Sequence, residues 1–185
     1  MNYPDLLNSL HPGFFSKDYI RTLPAEHIFS EQILDLRSAS PEAVEVSCPE
    51  HITFGFAKNL LAAIHEAVGQ VDPDWVQYFH EGSPVFCAFD GERIVSFCCL
   101  DDMGWHHGLH ISGPGCVGTI PSYRGQGIGL KMVQKATALL KQQGFDLSYI
   151  HYTHLDGWYA KLGYETILRW NCKGILWEKT RDTAL

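Results

Sequence analysis

A predicted strand, three closely spaced glycines and a predicted helix follow one another at residues 118–132. Arg124 precedes Gly125, Gly127 and Gly129, and an amphipathic helix begins at this point. The first N–H groups of a helix have no internal partner, and the helix dipole makes that end positive. Glycines let an oxyanion approach the backbone because no Cβ is in the way. The pattern indicates a binding site for a phosphate-like anion.

Two known phosphate-binding motifs and a purely structural turn are the alternatives for these glycines. A Rossmann fingerprint would have a glycine where Leu130 stands, and it normally lies at the first strand–helix turn of its domain. A P-loop needs Gly-Lys followed by Ser or Thr after four spacer residues, and this segment has no such sequence. A turn that only allows tight packing between helix and strand remains an open alternative.

Charge is distributed unevenly along the chain. The 185 residues include 14 Lys+Arg and 21 Asp+Glu, which gives a net charge of −7. Residues 1–102 carry −11, residues 103–145 carry +4 without any acid, and residues 146–185 are neutral overall. The acidic total argues against a nucleic-acid partner bound through bulk positive charge. The acid-free stretch is a candidate anion site, although lysines on a solvated helix face would give the same pattern.

Composition and length favour one ordinary globular domain over residues 1–185, with 45% hydrophobic and 19% charged residues. No stretch approaches the roughly 18–20 apolar residues of a membrane span, and the N-terminus lacks the basic region of a signal peptide. The six cysteines form no CxxC pair. We therefore expect reduced, buried thiols in a cytoplasmic protein, with no metal site and no membrane partner.

The predicted elements alternate between helix and strand in a mixed order. Helices are predicted over Phe54–Val68, Asp74–Glu81, Gly127–Gln143 and Asp156–Leu162. Strands are predicted over Gln32–Arg37, Val85–Asp90, Ile94–Leu100, part of Leu109–Ile120, Leu147–Thr153, Glu165–Trp170 and Ile175–Lys179. Met103–Gly108 is predicted to be a loop, and Gly113-Pro114-Gly115 is expected to break a strand because proline cannot donate to a sheet ladder. This order predicts an α/β (α+β) fold with one sheet and helices on its faces.

Two segments together resemble the signatures of one enzyme superfamily. The segment V-G-T-I-P-S-Y-R-G-Q-G-I-G, residues 117–129, meets the pattern [RQ]-x-x-G-x-[GA] through Arg124, Gly127 and Gly129. Some 35 residues later, G-W-Y-A-K-L-G-Y resembles a second signature, a tyrosine followed by x-K-L-G-[FY]. In this order the two motifs resemble the GNAT superfamily of acyl-CoA-dependent N-acyltransferases. The resemblance is best over residues 83–180, whereas residues 1–30 form an unassigned N-terminal extension.

The resemblance implies a mostly antiparallel central sheet with helices on both faces and a splayed pair of strands, here Cys116–Ile120 and Leu147–Thr153. It also implies acetyl-CoA as co-substrate, whose thioester would lie in the opening and whose pantetheine amides would pair with the backbone near Val117 and Thr119. The backbone N–H groups that would hold the CoA pyrophosphate belong to Arg124, Gly125, Gln126, Gly127, Ile128 and Gly129.

The implied reaction is direct acetyl transfer to a primary amine of a small molecule or peptide. The neutral amine attacks the thioester carbonyl, a backbone N–H polarises the oxygen, and Tyr159 protonates the leaving thiolate. An alternative for Tyr159 is an aromatic ring that only packs under the cofactor. One rival function is an acyl-CoA-binding regulator without catalysis. Another is transfer through Cys116 as a nucleophile.

The base and the acceptor are less defined by the sequence. Histidine titrates near neutral pH, so the candidate bases are His106, His107, His110, His151 and His154, with a water chain as the alternative. The segments expected to wall the acceptor pocket are acidic and aromatic, which favours a cationic amine, although acidic surfaces also serve solubility. They contain Asp72, Asp74, Trp75, Tyr78, Phe79, Glu81, Asp101, Asp102 and Trp105. A homodimer is left open.

Overall fold

The computed structural model describes residues 2–180, which form five α-helices, ten strands and short 3₁₀ turns. The helices are α1 (Tyr3–Leu10), α2 (Asp18–Arg21), α3 (Leu61–Gly69), α4 (Ile128–Gln142) and α5 (Asp156–Ala160). The first five strands are β1 (Phe29–Asp35), β2 (Ile52–Phe56), β3 (Val85–Asp90), β4 (Arg93–Cys99) and β5 (Asp102–His106). The others are β6 (Leu109–Ser112), β7 (Gly115–Thr119), β8 (Leu147–Thr153), β9 (Glu165–Asn171) and β10 (Gly174–Glu178).

The strands form two sheets rather than the single sheet expected. One sheet has the order β10-β9-β1-β8-β6-β5 and the other has the order β2-β3-β4-β7. Every pairing is antiparallel except that of β6 with β8. The mixed α/β architecture with a mostly antiparallel arrangement is confirmed. The division into two sheets arises where β6 gives way to β7, because these two consecutive strands belong to different sheets.

Gly113 and Pro114 produce this change of sheet. Ile111 and Ser112 pair with Leu147 and Ser148 of β8, and the pairing stops there. At Gly113 a Cβ would lie 1.9 Å from the Tyr149 carbonyl oxygen, so only glycine permits the close approach. After the break, β7 pairs with β4, and the strand is interrupted at the predicted point.

Three apolar clusters pack against the sheets. One lies under α4 and includes Met132 and Val133 of α4, together with Val95 of β4. A second lies between α3 and the other face of the four-stranded sheet. The third is built largely by the N-terminal extension, whose Leu6, Phe14 and neighbours cover one face of the six-stranded sheet. Residues 1–30, which matched no known pattern, therefore contribute helices to the hydrophobic core.

Three local predictions are wrong. Phe54–Phe56 belongs to β2, and the helix of this region begins only at Leu61, because Asn59 has a φ of +58° that a continuous helix cannot accommodate. Residues 103–106 are strand rather than loop, since β5 and β6 form a hairpin. Asp74–Glu81 is instead a 3₁₀ helix over Pro73–Tyr78, capped by the Asp72 carboxylate, which accepts the Asp74 N–H at 3.0 Å.

The remaining element predictions hold to within a few residues. β8 has its predicted limits, and α4 ends as expected before Gly144, which has a φ of +85°. α5 is shorter than predicted, and its N-cap is Leu155 rather than Asp156. None of the helices within residues 2–180 combines the length and the apolar character needed to cross a bilayer.

Candidate functional site

The glycine turn joins β7 to the N-terminus of α4. A 3₁₀ turn over Pro121–Tyr123 follows β7, and the first hydrogen bond of the helix runs from the Lys131 N–H to the Gly127 carbonyl at 2.9 Å. The N–H groups of Ile128, Gly129 and Leu130 therefore precede the intrahelical ladder. The first turn of α4 contains no acidic side chain. Free N–H groups and the positive end of a 15-residue helix meet the requirement for an anion site.

Two of the glycines are also required by packing. Gly127 has a φ of +78°, and a Cβ there would lie 2.0 Å from the Ser47 carbonyl oxygen. A Cβ on Gly129 would lie 2.6 Å from Oγ1 of Thr119. Gly125 has the same φ of +78°, but a Cβ at this position would meet no atom within 4 Å. Close packing therefore accounts for Gly127 and Gly129, whereas the open space around Gly125 leaves room for an anion.

A cavity of about 660 Å³ lies against this turn. Eight of the nine residues expected to bind cofactor or carry catalysis line it: Val117, Thr119, Arg124, Gly125, Gly127, Ile128, Gly129 and Tyr159. Gln126 does not line the cavity, and its side-chain amide donates to the Ser122 carbonyl at 3.4 Å. Arg124 is exposed, and its Nε donates to the Thr119 carbonyl at 3.0 Å, which ties the arginine to the end of β7.

Sequence reasoning missed several residues that complete the walls of this cavity. Trp158 and Lys161 flank Tyr159 in the second motif, so the motif itself could have indicated them. Val71 comes from a loop about 50 residues before the glycine turn, and no local pattern marks it. The full set of missed lining residues is Val71, Gly118, Tyr123, Leu130, Leu155, Trp158 and Lys161, whereas the lining residue His154 was already a candidate base.

The strand opening lies beside the cavity. Beyond Gly113, β7 pairs only with β4, whereas β8 pairs with β1, so the two strands diverge. Cys116 has a φ of +47° and forms a bulge, because Phe97 faces Gly118 while Cys99 faces Gly115. The expected pair of splayed strands is present, and the irregularity in β7 consists of a break followed by a bulge.

Tyr159 lies at the base of the cavity and is only 5% exposed. The Trp158 ring packs edge-on against it with centroids 4.8 Å apart. Burial, followed by the nearby Tyr164 and Cys98, raises the pKa of the Tyr159 phenol above its ordinary value. No hydrogen-bond partner for this hydroxyl occurs among residues 2–180. The phenol is therefore protonated at neutral pH and free to donate into the cavity.

Cys116 is poorly suited to nucleophilic attack. Burial, with Asp101 and Asp72 adding negative charge, raises the pKa of its thiol to about 11. The thiolate is the reactive form of cysteine, and it is scarce at neutral pH under these conditions. All six cysteines, including Cys116, are free thiols.

The five candidate histidines lie in different surroundings. His110 pairs with the Asp102 carboxylate at 2.9 Å, and His106 contacts the Ser9 hydroxyl and the Met103 carbonyl. His107 occupies the turn of the β5–β6 hairpin with a φ of +51°. His154 lines the cavity from an exposed position just after β8. His151 is partly buried within β8 and contacts Glu31.

Comparison with known proteins agrees with this geometry. A sequence profile of the acetyltransferase (GNAT) domain matches residues 81–166, a span that includes the glycine turn and Tyr159. No curated protein sequence matches the chain. Within residues 2–180 no group of side chains is arranged to hold a metal ion.

Solved structures share the fold. A glucosamine N-acetyltransferase region of a fungal multi-domain β-N-acetylglucosaminidase superposes with a TM-score of 0.64 at 24% identity, over 78% of this chain and 20% of that one. A GCN5-related N-acetyltransferase from Sphaerobacter thermophilus gives 0.55 at 21% identity, over 77% and 49% of the two chains. An acetyltransferase from Trypanosoma brucei gives 0.52 at 16% identity, over 72% and 99%.

The chain spans about a fifth and about half of the length of the first two structures. The three structures are less than 25% identical in sequence to this chain, so the similarity supports a shared fold alone. The profile match covers the two motifs that line the cavity, and the motifs lie in the fold on which such enzymes are built. The similarity to the acetyltransferase (GNAT) domain therefore extends over residues 81–166, which contain both motifs.

Proposed function

We propose that the protein transfers an acetyl group from acetyl-CoA to a primary amine by direct attack. The observation that carries the proposal is the shared cavity: the first residues of α4 and Tyr159 line the same space of about 660 Å³. A polyanionic co-substrate needs an anion site such as the start of α4, and a departing thiolate needs a proton donor such as Tyr159.

Different residues bind the co-substrate, polarise the thioester carbonyl and transfer the proton. The glycine turn and the start of α4 bind the pyrophosphate through Arg124, Gly125, Gln126, Gly127, Ile128 and Gly129, and the backbone at Val117 and Thr119 aligns the pantetheine. The amine attacks the thioester carbonyl at the opening between β7 and β8, and a backbone N–H at the Cys116 bulge polarises the carbonyl oxygen. Tyr159 gives its proton to the sulfur as the C–S bond breaks, and it regains a proton from the acylated nitrogen.

Charge near the opening supports a cationic acceptor. Asp72 and Asp101 lie close enough to Cys116 to raise the pKa of its thiol, and both would attract an ammonium group. Because one structural neighbour is described as a glucosamine N-acetyltransferase region, an amino sugar is the first small-molecule acceptor to test. Peptide amines are the second class.

The direct route is favoured over the two rivals. A double-displacement enzyme would need a reactive Cys116, whose thiol pKa is raised rather than lowered. A regulator that only binds acyl-CoA has no use for a buried phenol that is free to donate. We further propose that residues 1–185 form a single domain that works in the cytoplasm, since the N-terminal extension forms part of the core and the thiols are free.

The test is release of CoA from acetyl-CoA with a panel of amines that includes glucosamine and a lysine-containing peptide. Y159F is expected to lower kcat by about 100-fold or more, which is the range for loss of a general acid, while the Kd for CoA changes little. W158F is a matched control that retains an aromatic ring beside Tyr159. An inactive wild-type protein with intact CoA binding would favour the regulator, and full activity of Y159F would remove Tyr159 from the mechanism.

A further inference from the structure

A fully buried glutamate lies on β1, in the middle of the six-stranded sheet. The Glu31 side chain has no solvent exposure, and four donors converge on it. The Tyr149 hydroxyl and His151 Nδ1, at 2.9 Å, contact Oε2. Trp170 Nε1 at 2.7 Å and the Tyr152 N–H at 3.3 Å donate to Oε1. Two donors on each oxygen is the pattern of a carboxylate whose acceptor sites are filled.

This arrangement determines the tautomer of His151. An ionised carboxylate has no proton to donate, so the Glu31 contact requires the proton to be on Nδ1 of the imidazole. Nε2 of His151 is then a lone-pair acceptor. It makes no hydrogen bond within residues 2–180 and retains access to solvent, with 23% of the side chain exposed. A histidine oriented through Nδ1 by a carboxylate, with Nε2 free, is equipped to accept a proton.

The N-terminal extension holds the imidazole in place. The His11 ring stacks on the His151 ring with centroids 3.7 Å apart and planes 14° apart, and Phe14 packs edge-on at 4.9 Å. Burial, with smaller effects of His151 and Lys17, lowers the pKa of His11 to about 3. His11 is therefore neutral near pH 7, and it packs against His151 without adding a charge.

The register of the sheets locates His151 at the strand opening. Pairing between β6 and β8 ends at Ser148, and Gly113 approaches the Tyr149 backbone. His151 lies two residues further along β8, where that edge of the strand no longer has a neighbour. Its ring contacts the N-terminal extension, on the face of the sheet opposite to the cluster that contains α4 and Tyr159. An acceptor amine approaching from the face opposite the co-substrate would meet Nε2.

We propose that His151 is the catalytic base that deprotonates the acceptor ammonium, and that Glu31 is the positioning residue that orients it. The inference rests on the proposed acetyl transfer and deepens it. Nε2 takes one proton from the ammonium, which frees the nitrogen lone pair for attack on the thioester carbonyl. The N–C bond forms, the C–S bond breaks, and the second amine proton replaces the one that Tyr159 gives to sulfur. His151 then releases its proton to water.

His110 provides a matched comparison within the same chain. It also contacts a carboxylate at 2.9 Å, is 21% exposed, and stacks on an aromatic ring, that of Trp105. It lies on β6 before the Gly113 break, however, where β6 is still paired with neighbours on both sides. His110 thus matches His151 in its carboxylate contact, exposure and ring stacking, but it pairs through Nε2 with an exposed carboxylate and lies away from the opening.

The experiment compares H151Q and H110Q with the wild-type protein, using steady-state acetyl transfer, CoA binding and thermal unfolding. H151Q is expected to lower kcat by about 100-fold or more with little change in the Kd for CoA, and H110Q is expected to retain wild-type kcat. In the wild type, kcat should fall at acidic pH because the base becomes protonated. The pH profile of H151Q should lack this fall. In H151A, added imidazole should restore part of the activity.

A separate measurement, the pH profile of kcat, tests the positioning role of Glu31. The groups that face His151 are Glu31 on β1, Tyr149 and Tyr152 on β8, and His11 in the extension with Lys17 beyond it. Loss of the carboxylate makes the imidazole less basic, so E31Q should move the acid limb of the kcat profile to lower pH. A purely structural role would lower the melting temperature without this movement.

The outcomes separate the two proposals. A wild-type protein that acetylates no amine overturns the proposed function, and the assignment of His151 falls with it. An active wild type with an equally active H151Q overturns only the assignment of His151. Equal losses in H151Q and H110Q would also contradict it, because the opening would then have no special importance.

Discussion

Gly127 offers a test of how the glycine turn is built. In G127A the new methyl group would adopt a left-handed conformation at a φ of +78° and would lie 2.0 Å from the Ser47 carbonyl oxygen. The conformation alone costs about 1–2 kcal/mol, offset by about 0.4–1 kcal/mol because alanine restricts the unfolded chain. The distance is about 1.4 Å short of ordinary contact, which begins near 3.4 Å. Displacing a backbone carbonyl that far resembles overpacking and costs a further ~1–3 kcal/mol.

Two other glycines isolate the steric part of this cost. Gly125 and Gly144 have φ values of +78° and +85°, and a Cβ at either would meet nothing within 4 Å. G125A and G144A should therefore lose about 1 kcal/mol or less of unfolding free energy, and G127A about 2–4 kcal/mol. Urea denaturation with a constant m value measures the difference.

The same variants report on the binding site. G127A should also weaken CoA binding, because relief of the clash moves the turn that precedes the free N–H groups of α4. G144A lies at the far end of α4 and should bind CoA as the wild type does. If G127A and G125A lost the same unfolding free energy, to within about 0.5 kcal/mol, the close approach of Ser47 would not constrain this turn and the reasoning would be refuted.

Two further predictions concern individual side chains. C116A should retain most of the wild-type kcat, because direct transfer needs no thiol. Steady-state kinetics measure this, and a complete loss of turnover in C116A would instead indicate a covalent intermediate on the thiol. His11 has a folded pKa of about 3 and an ordinary value of 6.5, so the unfolded chain binds the extra proton between these pH values and the protein loses stability as pH falls through this window. H11F should reduce the slope of unfolding free energy against pH by at most about 1.4 kcal/mol per pH unit. Urea denaturation between pH 4 and 6.5 measures this slope. An unchanged slope in H11F would show that His11 is accessible to protons in the folded state.

Local sequence patterns predicted the elements that line the cavity. The strand Leu147–Thr153, the helix beginning after Gly127 and the break at Gly113 all follow from short-range rules on periodicity, glycine and proline. These rules work here because the glycine turn joins a strand and a helix that are adjacent in the sequence. The cavity then forms between that turn and the second motif.

Long-range pairing explains what the sequence did not reveal. Phe56 fits a helical spacing with Leu60 and Ile64, yet the segment Phe54–Phe56 pairs in register with β3, a strand about 30 residues later. The local sequence around Glu31 is typical of a surface acid. Its burial becomes evident only from the pairing of β1 with β8 and β9. The donors that satisfy it come from positions 149–170, beyond the reach of any local pattern.

The position of β1 between β8 and β9 also has a consequence for synthesis of the chain. β1 is made before both of its partners, which begin at Leu147 and end at Asn171, more than 100 residues later. At about 5–20 residues per second a ribosome needs roughly 6–27 s to supply them. Throughout this interval the nascent strand has two open edges and a glutamate without its donors. The six-stranded sheet can therefore close only after β9 has been synthesised, and chaperone binding to the nascent chain should persist until then.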